Sequence, residues 1–306
     1  MLPDFSIIHK QDIFIRETYK PEIQNDDHNF LSRSFERHFW ERPYLNHTCY
    51  LYLTQTTKEK IRQQSLFNTL CRGFLVPKEI RDKETVSRFL EAVAHFEGII
   101  NESGLVHISR LTSDQIVGTP EKAGILEKYF SLSLDDQTVL EDIQLDPGIL
   151  RVGDKTVCLH TLSDLDDLPQ KVATDSRYER LSTDRSDCRM SYAAPVGLLL
   201  SCDHIYNQMI FIEDRAETLR TFEKTARNMM SLSKYSRANQ INKEWVDEYL
   251  NEAHSFGLTP VRCHCNVLAW SDDPNELRKI KNDVGSQLAL MECKPRHNTV
   301  DAPALF

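Results

Sequence analysis

Gly148–Thr156, GILRVGDKT, can be parsed in two ways, and the choice decides how the middle of the chain folds. As a phosphate-binding loop it should follow G-x-x-x-x-G-K-[ST], in which backbone N–H groups curl round the phosphates and the lysine reaches their outer oxygens. Asp154 occupies the lysine position, and Lys155 and Thr156 come one residue late. A carboxylate aimed into an anion cradle repels the anion it should hold. As a hairpin, Ile149–Val152 and Thr156–Leu162 are β-branched or apolar runs flanking Gly153 and Asp154, a pair suited to a two-residue turn with glycine at φ > 0. The hairpin fits every residue, whereas the phosphate loop fails at its central one. Nothing else in the chain looks like a phosphate cradle.

Around this hairpin, 306 residues suffice for about two domains of roughly 150 residues each. The apolar share of 40% fills ordinary cores, and a mean hydropathy of -0.46 predicts a soluble chain. No apolar run approaches the roughly 20 residues of a membrane helix. The first residues lack the basic and apolar blocks of a secretory signal, so a cytosolic location is expected. The eight cysteines lack the paired spacing of a disulfide or zinc framework and read as reduced, mostly buried small residues. A net charge of -9 argues against a surface built to grip nucleic acid.

Along the first half, Ile7–Glu17 reads as a strand. Asn29–Arg42 reads as an amphipathic helix carrying Phe30, Leu31, Phe35, Phe39 and Trp40, stopped by Pro43. Thr48–Thr54 is apolar on both faces and predicts a central strand. Asp82–Glu102 is a helix with Val86, Phe89, Leu90, Val93, Phe96 and Ile100 in its stripe and Gly104 as its stop. Leu105–Leu111 reads as a strand, and Thr112–Phe130 as a broken helical pair around Gly118 and Pro120. Residues 168–187 are polar and aperiodic, a candidate boundary. Beyond them come a strand at Tyr206–Ile212, helices at Asp214–Ser233 and Gln240–Ala253, a strand at Val261–Trp270, and a helix announced by Asp273, Pro274 and a capping-box Glu276. An extended piece, Lys294–Val300, closes the pattern. The expected class is α+β with mostly antiparallel sheets: an αβ subdomain over 1–167, and a second αβ sandwich over 188–306 of the split β-α-β, ferredoxin-like kind.

Candidate chemistry is sparse. Cys263, His264 and Cys265 have metal-ligand chemistry, but on a strand the two cysteines share one face and His264 points away. His204 and Cys202 are the distant residues that could complete such a site, without the second ligand pair that normally marks zinc. Asp164, Asp166 and Asp167 lack the turn glycine and closing glutamate of a calcium loop. G-x-S-x-G, H-E-x-x-H and C-x-x-C are absent. No catalytic, cofactor or metal residue is therefore assigned. The one tentative surface site is a basic patch, Arg227, Lys234 and Arg237, at a helix end that could touch phosphates or an acidic partner.

Several stretches taken together resemble the TraG family of conjugative-transposon ATPases, motors of a type IV secretion apparatus. They are SIIHKQDIFI, FLSRSFERHFWERPYLNHTCYLYLT, GTPEKAGILEKYFSLS, SYAAPVGLLLSCDHIYNQMIFIED, and NVLAWSDDPNELRKIKNDVGSQLALME leading to TVDAPALF. The resemblance implies the N-terminal part of such a protein, with the Walker motifs, ATP and Mg2+ belonging to a domain beyond Phe306. It implies an assembly and docking module at the cytoplasmic face of the inner membrane, contacting sister protomers and channel subunits, with no enzyme activity of its own and no strong nucleic-acid binding. A nucleic-acid-contacting module and a free-standing enzyme with an unrecognised site are the alternative readings.

Overall fold

The computed structural model describes residues 2–19, 30–56, 82–146, 149–162, 164–169, 172–173, 175–232 and 235–298. The fold is α+β. Eight strands form one sheet in the order β2-β1-β8-β9-β5-β4-β3, with β10 also on β5. The strands are β1 (Ser6–Glu17), β2 (Tyr44–Gln55), β3 (Ile143–Asp146), β4 (Ile149–Val152), β5 (Lys155–Leu162), β8 (Asp203–Ile212), β9 (Val261–Ser271) and β10 (Arg296–Asn298). β6 (Ser176–Arg177) and β7 (Arg189–Met190) make a separate short ladder inside the polar boundary segment. The helices are α1 (Phe30–Trp40), α2 (Lys83–Glu102), α3 (Ser113–Val117), α4 (Ile125–Phe130), α5 (Ala194–Leu199), α6 (Arg215–Leu232), α7 (Arg237–Phe256) and α8 (Pro274–Leu290).

The opening stretch folds as a hairpin: Val152 pairs with Lys155 across Gly153 and Asp154, and Gly153 sits at φ 56°. That left-handed conformation is the one a turn asks of glycine. Gly148 lies outside the described residues. β3–β4, β4–β5, β5–β9 and β5–β10 are all antiparallel. At the centre of the sheet Gln11 donates to Asn207 and Asn207 to Asn266, and Arg16 N donates to the Asp203 carboxylate at 2.5 Å.

Two compact units are present. One comprises Met1–His9, Leu51–Ser109 and Met209–Cys263, the other Lys10–Tyr50, Arg110–Gln208 and His264–Phe306. Each draws on chain from both sides of 168–187, because β1, β2, β8 and β9 contribute residues to both. The second unit is built around Ile13, Leu150, Val152, Val157, Leu159, Ile205, Leu268 and Trp270. The α8 stripe Leu277, Ile280, Val284 and Leu288 is also buried there; burying such a side chain contributes about 1.5–3 kcal/mol. The first unit packs Leu219 and Ala226 of α6 against Leu250 and Ala253 of α7, which ends at left-handed Gly257.

Three expectations change. β2 lies at the end of the sheet rather than its middle, so its second apolar face is only half-buried. Residues 105–111 are not a strand; Leu105 and Val106 are exposed, and Ile108 is held by the Asn101 amide. β8 and β9 are direct neighbours joined by two helices, whereas β9 and β10, joined by α8, both pair antiparallel with β5, which lies between them as in a split β-α-β unit. Glu276 does not close a capping box: its carboxylate accepts from Ser271 Oγ at 2.8 Å and Arg16 at 3.3 Å, tying β9, β1 and α8 together.

Candidate functional site

Several of the reactive side chains singled out by the sequence are engaged inside the fold. Lys155, the displaced lysine of the failed phosphate loop, donates from Nζ to the carbonyls of Ser131 (2.7 Å) and Leu132 (3.1 Å), just past the end of α4. These are acceptors a helix end leaves without partners. His264 and Asn266 share one side of β9, with Asn266 Nδ2 3.3 Å from His264 Nε2, and the burial of His264 lowers its pKa. Cys265 is buried on the opposite side. Among the described residues no three His, Cys, Asp or Glu side chains converge as metal ligands.

Asp164 and Asp167 anchor the last strand. Asp167 is buried, accepts from Arg296 Nε at 3.1 Å, and its carbonyl accepts from Lys294 N; Arg296 also pairs with Asp164. Asp166 is exposed on the same 3-10 turn.

His204 is fully buried, 2.8 Å from the Cys202 carbonyl through Nδ1. Its ring stacks on Phe14 at 4.6 Å, and His47 stacks on the other face of Phe14 at 4.4 Å. Burial pushes the His204 imidazole down to about 4, so it is neutral near pH 7. His47 in turn contacts Asp12 at 2.9 Å. Burial opposes ionisation of Asp12, but bonds from Lys10 and His47 and the Lys10 charge hold its carboxyl below the usual range. The thiols are not activated: burial, with the Asp12 carboxylate, pushes Cys49 up to about 11, and burial pushes Cys158 up to about 11 and Cys202 up to about 12.

A row of polar side chains crosses the sheet in the second unit, which sequence reading did not single out. Gln11 donates to Asn207 at 3.2 Å and Asn207 to Asn266 at 2.9 Å; one strand on, Thr161, the register partner of Asn266, donates to Asn298 at 2.8 Å. A cleft of about 500 Å³ opens beside Glu17, Asn46, Tyr50, Lys128 and Ser133, where Glu17 is held by Tyr44 and Asn46, and Lys128 by Asp136 at 2.6 Å.

Apolar residues are left at the surface instead. On α1, Phe30, Leu31, Phe35, Phe39 and Trp40 are all exposed, contrary to the buried stripe their spacing suggests. At the far end of the α6–α7 pair, Met230, Tyr235, Ile241 and Trp245 are exposed. Of the expected basic patch, Arg227 and Arg237 stand exposed at the facing ends of α6 and α7, and Lys234 lies outside the described residues. No protein-family model matches the chain, and no curated protein matches it. No helix among the described residues is long and apolar enough to cross a membrane.

Proposed function

We propose that this chain is an assembly and docking module, the N-terminal region of a TraG-like conjugation ATPase that works at the cytoplasmic face of the inner membrane with sister protomers and channel subunits. One observation carries the reading: Lys155 and His204 are turned inward to hold the fold, while large apolar residues on α1 and at the end of the α6–α7 pair are turned outward. Apolar patches of this kind mark interaction surfaces. On this reading ATP and Mg2+ are handled by another part of the parent protein.

The test places Phe35→Asp with Trp40→Asp, and separately Trp245→Asp, in the parent protein. Co-purification with inner-membrane channel subunits and the frequency of DNA transfer are then measured. At least one variant should lose both while its circular dichroism is unchanged; wild-type behaviour of both variants sinks the docking reading.

A further inference from the structure

We propose that β3 is a docking edge for an extended basic segment of a partner protein, which joins the sheet as its next strand. This rests on the docking reading above and names a surface and a partner chemistry for it. Among the described residues no strand lies beyond β3. Gly153 N donates to the Asp142 carbonyl at 2.9 Å, which makes 142 and 153 a hydrogen-bonded pair in line with the β3–β4 register. Antiparallel alternation then turns the backbone of Gln144 and Asp146 toward β4, and the N–H and C=O groups of Ile143 and Leu145 outward.

The side chains continue the argument. Ile143 stands opposite Val152 and Leu145 opposite Leu150, two buried members of the core, so they occupy the core side of the sheet. Yet Ile143 is 36% and Leu145 53% exposed. The apolar layer therefore runs one strand past its cover, and a further strand would complete it. On the other side of β3 stand Asp142, Gln144 and Asp146.

Charge selects the occupant. From Asp135 to Asp146 there are five carboxylates and no lysine or arginine. Asp136 is taken by Lys128 and Lys122. Asp135, Glu141, Asp142 and Asp146 are exposed and make no ion pair among the described residues. Arg151 on β4 stands opposite Gln144. A second copy of the same edge would set carboxylate against carboxylate, which opposes self-pairing. A segment alternating apolar residues with Lys or Arg satisfies both sides, with apolar groups beside Ile143 and Leu145 and cations beside Asp142 and Asp146.

The experiment titrates the full chain by calorimetry with a capped octapeptide alternating valine and lysine, its valine–glutamate counterpart, and a valine–lysine version N-methylated on alternate backbone nitrogens. The lysine peptide should bind, the glutamate peptide should not, and N-methylation should weaken binding about tenfold or more. Ile143→Pro removes an outward donor while sparing the inward ladder, and Asp142→Asn with Asp146→Asn removes the charge; each should weaken binding about tenfold with the urea midpoint kept. Equal binding of the N-methylated or glutamate peptide, or full binding by Ile143→Pro, overturns the proposal. So does a dimer in sedimentation that Ile143→Pro dissociates, since the occupant would be a second copy. A chain that ignores the lysine peptide yet co-purifies with channel subunits removes β3 and leaves docking standing; failure of docking shows separately, as lost co-purification while the peptide still binds.

Discussion

The strand hairpin β4–β5 and the helix pair α6–α7 both return the chain alongside itself, yet they use their sequences in opposite ways. β5 is buried from Val157 to Leu162, and Lys155 at its start is committed to two carbonyls. The helix pair is buried only along part of its length, through Leu219, Ala226, Leu250 and Ala253; the apolar stripe of α7 continues to Trp245 and Ile241, which are exposed. A period in the sequence says which residues share a face. It does not say whether that face meets the protein's own core or a partner.

The largest expected effect measures this difference directly. Leu159→Ala on β5 should cost about 2–5 kcal/mol through lost burial and a residual cavity, read from urea unfolding. Trp245→Ala should stay within about 0.5 kcal/mol, as substitutions at exposed sites do. A large loss from Trp245→Ala would mean that the end of the helix pair is packed in solution, and the contrast would fail.

Acid should act on the strand region first. Burial, with His297 and Lys281 nearby, pushes His160 on β5 down to about 4, matching the value for buried His204. With unfolded imidazoles near 6.5, the unfolded chain binds more protons between those values. Stability contributed by the neutral forms is thus present above about pH 6.5 and is lost as pH falls toward about 4. The loss is about 2 kcal/mol per histidine between pH 7 and pH 5. His160→Gln should remove about half of that slope in urea midpoints; an unchanged slope would show that His160 is not the group responsible.

What could be read in advance follows from the same contrast. Gly153 and Asp154 specify their turn locally, Asp82 and Gly104 bracket α2, and Asp273 opens α8 by accepting from Asn275 N, with Pro274 pre-set for the first turn. The place of β2 at the sheet's end, the engagement of Glu276 with Arg16, and the exposure of Phe35 and Trp40 depend on residues distant in sequence, to which periodicity is blind. The candidate surface was only dimly legible for that reason. The charges of Arg227 and Arg237 are plain in the sequence, while nothing local to residues 143–146 says that they form the last strand of a sheet.

A smaller effect tests the opening stretch. Lys155→Met removes two bonds from a charged donor and should cost about 2 kcal/mol, with no change in calorimetry against Mg-ATP because wild type is expected to show no binding. Gly153→Ala should cost about 1–2 kcal/mol for forcing a Cβ into the left-handed region. Micromolar ATP binding abolished by Lys155→Met would restore the phosphate-loop reading.

The smallest effect is expected at the helix ends. Arg227 and Arg237 are exposed, on a chain of net charge -9. Each basic residue neutralises at most about one phosphate, so even with Lys234 the gain is about three counterions. At about 150 mM salt the Debye length is about 8 Å, and exposed charges farther apart hardly cooperate. Single- and double-stranded DNA should therefore give no mobility shift with the wild-type chain under those conditions, and the triple change Arg227→Ala, Lys234→Ala and Arg237→Ala should alter nothing. Tight binding at that salt, weakened by the triple change, would make the open end of the helix pair a nucleic-acid surface and would turn its exposed Trp245 and Tyr235 from partner contacts into stacking platforms for bases.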